Sequence, residues 1–211
     1  MQHYLIRECE RADCRFRFPA AEDDPRGVYC PHCGAGKTAV VARADTNPKP
    51  VRHKAPDTFH LELLLDNIRS VYNVGSLLRT ADGAGVRHLH FCGITATPEH
   101  PRLAKTALGA EQLLPWTRHL NAVSAVEQLR ATGYLLWGLE EDPRAENLLV
   151  WRRPTDQKAV LIIGNEKMGI DPEIRLRCDR LFSLPMLGGK HSLNVAVAAG
   201  IALYHLRFGQ M

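Results

Sequence analysis

"LIIGNEKMGI", residues 161–170, is an apolar run that stops at Gly164 and passes straight into Asn165 and Glu166. A strand that ends in glycine and then polar residues suits a loop against which a ligand ring can lie, although a tight turn with a solvated carboxylate has the same pattern. Runs of this kind recur: "HLELLLD" (60–66), "HLHFCG" (88–93), "YLLWGLE" (134–140), "AVLIIG" (159–164) and "RLFSLP" (180–185). Between them lie helical patterns around 74–84, 121–132, 171–178 and 192–207, and a helix or turn near 101–110. Strand and helix alternate, which predicts an α/β domain over 59–211 with a mostly parallel sheet, its Leu-, Val- and Ile-rich strands buried on both faces. Ligands of such sheets bind beyond the carboxyl ends of the strands, so the residues that follow each strand decide the chemistry. None of them forms G-x-G-x-x-G, which argues against a nicotinamide or flavin site.

Two further stretches stand beside the first. In "NVGSLLRTADGAGV" (73–86), Asn73 is a candidate helix cap, Gly75 permits close backbone approach and Arg79 follows six residues after Asn73. By spacing alone Arg79 is an ordinary exposed helix arginine. In "SLPMLGGKHSLNVAVAAGIALYHL" (183–206), a strand end and Pro185 lead through Gly188-Gly189 to Ser192, a candidate cap, and then to a helix of Val, Ala and Gly. Small residues let that helix pack closely, in a core or in a dimer interface.

Together and in order, the three stretches resemble the motifs of the SpoU/TrmH family of RNA ribose 2′-O-methyltransferases, within the SPOUT superfamily. The matching residues are Asn73-x-Gly75-x-x-x-Arg79-Thr80, Gly164-Asn165-Glu166-x-x-Gly169, and Leu184-Pro185-Met186 with Ser192-Leu193-Asn194-Val195; "KTALGAE" (105–111) is similar as well. The resemblance covers about 60–207. It implies a parallel α/β sheet with a C-terminal deep trefoil knot, a fold that composition would not suggest. It also implies a homodimer with the site beside the interface. The methyl donor is then S-adenosylmethionine, held at Gly164, Leu184, Met186 and Leu193, with Gly138, Leu139 and Ile163 as weaker contacts. Arg79 is placed at the ribose hydroxyl, where electrostatic stabilisation of the alkoxide is as plausible as base action, and Asn73, Glu166, Ser192 and Asn194 hold Arg79 and the ribose or its phosphate. The acceptor is tRNA or rRNA, which the motifs do not separate. A non-catalytic RNA-binding or assembly protein that keeps the fold is the alternative, and the joint presence of Arg79, Ser192 and Asn194 speaks against it.

The first 42 residues stand outside the resemblance. Cys9-x4-Cys14 is followed after fifteen residues by Cys30-x2-Cys33. Two thiolate pairs at the tips of turns suit tetrahedral zinc, and a Cys-Pro-x-Cys-Gly turn frees backbone amides to face the sulfurs, so a zinc-ribbon-like module is expected over 1–42. His32, inside the knuckle, is expected to point outward. The tail of the same stretch, Gly36-Lys37-Thr38, ends like a P-loop, but Pro31 stands where that motif requires glycine and offers no amide hydrogen. A closed four-thiolate site leaves no place for a catalytic water, so the zinc is structural; the resemblance implies that the module is an RNA-binding or positioning element. Residues 43–58, with several prolines and basic side chains, read as a semi-rigid linker. The whole chain, 211 residues with 45% hydrophobic content, allows one medium and one small domain. It shows no signal-peptide pattern and no run long enough to span a bilayer, so a cytoplasmic protein with reduced cysteines and no membrane partner is expected. The net charge of +4 tolerates a nucleic-acid partner without requiring one.

Overall fold

A computed structural model describes residues 3–43, 59–152 and 157–209. The chain divides into two compact units, with the boundary between Lys54 and Ala55. Residues 44–58, nearly all of the expected linker, lie outside the described residues.

The first unit is a three-stranded antiparallel sheet of β1 (Tyr4–Cys9), β2 (Arg17–Ala21) and β3 (Thr38–Arg43), in the order β2-β1-β3. Strand β3 runs through Arg43, one residue past the expected end of the module. Between β2 and β3, Asp24 accepts a hydrogen bond from the Arg26 amide and so caps a short 3-10 turn, Pro25–Val28. The buried apolar residues here are few: Leu5, Ala20, Ala21 and the cysteines Cys9 and Cys30.

The second unit is built on a seven-stranded sheet. Its strands are β4 (His60–Asp66), β5 (Leu89–Cys92), β6 (Trp116–His119), β7 (Leu135–Leu139), β8 (Glu146–Asn147), β9 (Lys158–Ile163) and β10 (Arg180–Ser183). The order is β6-β5-β4-β9-β7-β10-β8 and every pairing is parallel. The helices are α1 (Val71–Gly83), α2 (Ala104–Ala107), α3 (Ala122–Ala131), α4 (Pro172–Arg177) and α5 (Val195–Phe208).

Side chains alternate across a strand, and the two faces of the central strands serve two cores. Leu61, Leu63 and Leu65 of β4 with Leu161 and Ile163 of β9 pack against Val74, Leu77 and Leu78 of α1 and Ala199, Ala202 and Leu203 of α5. Leu64, Val160 and Ile162 face the other way, onto Ala125, Val126 and Leu129 of α3 and Ile174 of α4. Arg207, near the end of α5, is buried and donates to the carbonyls of Phe59, Ala84 and Gly85, which ties α5 to the end of α1.

Two helix starts differ from the sequence reading. Helix α1 is capped by Ser70, whose Oγ accepts from the Asn73 amide; Asn73 lies inside the first turn. Helix α5 starts at Val195 and is capped by Asn194, not Ser192, with Oδ1 accepting from the amides of Ala196 at 2.9 Å and Val197 at 3.4 Å. In both places two oxygen-bearing side chains of capping type lie within a few residues; at α1 the Asn73 side chain is engaged by Glu166 instead. Among the described residues no helix is long and apolar enough to cross a membrane.

Candidate active site

Strand β9 ends at Ile163, and the next seven residues close on themselves. Asn165 and Gly169 exchange both backbone hydrogen bonds at 2.9 Å. A Cβ on Gly164 would lie 2.2 Å from the Gly169 carbonyl carbon and the Ile170 nitrogen, so only glycine fits. The Asn165 side chain accepts from the amides of Lys167 and Met168 and donates to the Asn67 carbonyl. From the end of β7, Glu140 accepts the Ile170 amide at 2.7 Å.

This closed loop aims Glu166 at the start of α1. Its carboxylate accepts from the Arg69 amide at 2.9 Å, the Ser70 amide at 3.0 Å and Asn73 Nδ2 at 3.0 Å. An acidic group is favoured there by the unpaired amides and dipole of a helix N-terminus. Partial burial raises the Glu166 pKa, but the Arg69 amide, the Asn73 side chain and the Ser70 amide outweigh it and hold the carboxyl below its ordinary value. Asn73 Oδ1 in turn accepts from Asn194 Nδ2 at 3.1 Å. The three stretches singled out in the sequence are thus joined, through Glu166, Asn73 and Asn194, by side-chain hydrogen bonds.

They enclose a cavity of about 590 Å³, at the carboxyl ends of β7, β9 and β10. Leu139, Ile163, Gly164, Leu184, Met186 and Leu193 supply its apolar lining and backbone; Asn73, Glu166, Ser192 and Asn194 supply polar groups. The volume and the mixture of apolar wall and few polar groups suit a cofactor-sized ligand. Two expected residues are not part of the lining. Gly138 lies behind the wall, where an added Cβ would come within 2.8 Å of Leu181 and 3.1 Å of Cys178 Sγ; its smallness serves packing of β7. Arg79 is exposed on α1, on the helical row that also carries Tyr72 and Ser76. That row borders a second, shallower depression lined by Tyr72, Ser76, Thr80, Val197, Gly200 and Ile201, which shares Asn73 and Asn194 with the cavity.

Sequence reading missed Glu140, Glu141, Lys167 and His191, which also line the cavity. The two glutamates follow β7 directly, but the sequence run of 134–140 placed Glu140 inside the strand rather than after it.

In the first unit, Cys9, Cys14, Cys30 and Cys33 bring their sulfurs within 4.8 Å of one another, and all four are free thiols. Burial would raise the Cys30 thiol, yet the amides of Cys33 and His32 bring it down to about 7. Convergence of four sulfurs, with amides facing one of them, fits a tetrahedral zinc ion held by these four residues.

Residues 60–204 match the SpoU rRNA Methylase family. A protein of Staphylococcus saprophyticus, provisionally named a TrmH family tRNA/rRNA methyltransferase, is 32% identical over 178 residues, which covers 83% of this chain and 70% of the relative. The SpoU methyltransferase AviRb of Streptomyces viridochromogenes, solved in complex with AdoMet, superposes with a TM-score of 0.63 at 31% identity, covering 76% of this chain and 62% of that one. The AdoMet-bound rRNA methyltransferase of Sinorhizobium meliloti superposes with a TM-score of 0.67 at 26% identity, covering 75% and 59%. This chain therefore spans about six-tenths of the length of these two solved relatives.

Proposed function

We propose, from the premise that the chain belongs to the SpoU methylase family, that it transfers a methyl group from S-adenosylmethionine to a ribose 2′-hydroxyl of tRNA or rRNA. The observation that carries this reading is the Glu166–Asn73–Asn194 chain of hydrogen bonds beside a cavity of cofactor size. Solved relatives of the same fold hold AdoMet.

In this reading the cavity takes the cofactor bent, within the trefoil knot that the family's fold implies. Gly164, Leu184, Met186 and Leu193, with Leu139 and Ile163, provide an adenine slot of backbone groups and aliphatic side chains; Gly138 supports that wall from behind. S-adenosylmethionine supplies an electrophilic methyl on a sulfonium. The chain's own task is to orient the hydroxyl and ease the loss of its proton. Arg79, always protonated, stabilises the developing alkoxide. Asn73, Ser192 and Asn194 orient the ribose or its phosphate, and Glu166 fixes Asn73.

Arg79 stands on the row that borders the shallow depression rather than in the cavity itself, so the reading also requires a homodimer. The exposed apolar residues Tyr72, Val197, Ile201 and Tyr204, between 38% and 65% accessible, offer a face on α1 and α5 for the second copy. Zinc at the four cysteines is structural, and the module assists RNA binding in a cytoplasmic enzyme.

The test is incubation of the purified protein with radiolabelled S-adenosylmethionine and separate tRNA and rRNA pools from a strain lacking the gene. Label that enters one pool and leaves one linkage resistant to alkali is the expected result. Arg79→Ala should bind the cofactor normally and lose at least about a hundredfold in rate; turnover equal to wild type would remove Arg79 from the mechanism.

A further inference from the structure

The first unit carries aromatic surface that its own packing leaves open. Phe16 and Phe18 are two residues apart at and beside the start of β2, so their rings share one face of the sheet. Their planes are within 24° of parallel, with centroids 6.2 Å apart. His32, between Cys30 and Cys33, lays its imidazole against Phe16 at 5.4 Å and 19°. The result is a run of three rings, two at the edge strand β2 and the third from the Cys30–Cys33 turn, with His32 exposed and Phe16 40% accessible.

His32 is held in this pose by the cysteine cluster. Its Nδ1 lies 3.6 Å from Cys14 Sγ. With Nδ1 protonated it donates to that sulfur, which turns the flat side of the ring along Phe16. The outward-pointing histidine expected from the sequence is in this way an ordered part of the surface.

Arg17 alternates with Phe16 and Phe18 and stands opposite Glu8, so the cations of this segment meet Glu8 on the other face of the sheet. Arg15 and Arg17, which flank Phe16 in the chain, share the single carboxylate of Glu8 at 2.5 and 3.9 Å. Both guanidinium side chains are exposed, at 67% and 58%, whereas Glu8 is recessed at 14%. An exposed flat ring is what the base of an unpaired nucleotide stacks on.

We propose that the Phe18–Phe16–His32 run stacks an unpaired base of the RNA substrate. The proposal rests on the reading of the chain as an RNA methyltransferase and assigns the module a place in it: recognition of a single-stranded segment with little sequence preference, since every base has a flat face.

Four full-length proteins test it: wild type, Phe16→Leu, His32→Ala and Phe16→Trp. Leucine keeps apolar bulk without a flat ring, and zinc content with a thermal melt verifies that each variant retains the folded module. Binding of a short labelled oligouridylate and of bulk tRNA is measured for all four. Loss of one stacked base is expected to weaken binding of the oligouridylate roughly five- to a hundredfold in Phe16→Leu and His32→Ala. Phe16→Trp should bind as wild type, with the emission of the introduced indole quenched by RNA. Methylation of RNA by wild type together with unchanged affinity in a zinc-loaded Phe16→Leu would overturn the stacking alone. A wild type that neither binds nor methylates RNA would overturn both readings. A change in oligomeric state on Phe16→Leu, with RNA affinity unaltered, would give the surface to a protein contact and overturn the proposal as well.

Discussion

The two units solve the folding problem by opposite means. The first hides little more than Leu5, two alanines and two of its four cysteines; the second interleaves Leu, Ile and Val from both faces of its central strands with helices on either side. A core that small contributes little against chain entropy, so zinc at the four cysteines, as proposed, would supply most of the folding energy of the first unit. The larger sheet needs no such help. In that reading the stability of one unit is set by an ion, and of the other by area removed from water.

Removing the metal is the strongest way to break this contrast. Zinc binding in small modules is worth about 10–16 kcal/mol, so a chelator should unfold residues 3–43 and leave the sheet of seven strands intact. All three tryptophans, Trp116, Trp137 and Trp151, lie in the second unit, so their fluorescence should stay constant while far-UV circular dichroism loses a minor component. Tryptophan emission that shifts with chelation would mean that the units are not independent.

The converse experiment is Leu161→Ala. Leu161 is fully buried in the core shared by β9, α1 and α5, and its truncation should cost the second unit about 2–5 kcal/mol. The melt of the second unit should move while zinc content does not.

Next in size is an acid limb that belongs to the second unit. Burial raises the pKa of Glu62, but hydrogen bonds from His90, Tyr134 and His60 outweigh it and bring the carboxyl to about 2. A carboxyl depressed in the folded state adds stability that is complete above its unfolded value, near 4.5, and is lost as pH falls toward 2. The amount is about 3 kcal/mol by this linkage. Unfolding in urea across that pH range should steepen accordingly, and Glu62→Gln should flatten the limb.

The smallest effect on stability, and the most informative for the site, is Glu166→Ala. It strips a carboxylate from two backbone amides and Asn73 at an exposed helix start, where water replaces part of what is lost; about 1 kcal/mol is expected. Affinity for S-adenosylmethionine, followed by calorimetry, should fall further than the melt does. Equal cofactor affinity would detach the loop from binding.

The contrast also marks what could be read from the sequence. Strands β4, β5, β7, β9 and β10 are continuous apolar runs because they are buried on both faces, and they were legible. Strand β6 reads Trp-Thr-Arg-His and β8 is two residues long; both sit at the edges of the sheet, where one side chain in two meets water and the pattern dissolves. The helix caps failed for a different reason. Ser70 and Asn73, or Ser192 and Asn194, are equivalent as local chemistry, and at α1 only the pull of Glu166 on Asn73 distinguishes them. Of the site, the cavity-lining residues were carried by the resemblance. Glu140 was not, because a glutamate after a strand looks solvated until the Ile170 amide is seen to point at it.

The bond between Asn194 and Asn73 spans 121 residues, and that between Glu166 and Asn73 spans 93. A chain emerging from the ribosome therefore has most of its sheet in hand long before the pocket can exist. In the proposed reading, competence for the methyl donor waits for Asn194 and the start of α5. A product truncated before residue 194 keeps most of the fold's apolar strands but lacks the Asn194–Asn73 bond that joins the site, so in the proposed reading it should bind the donor more weakly than the whole domain.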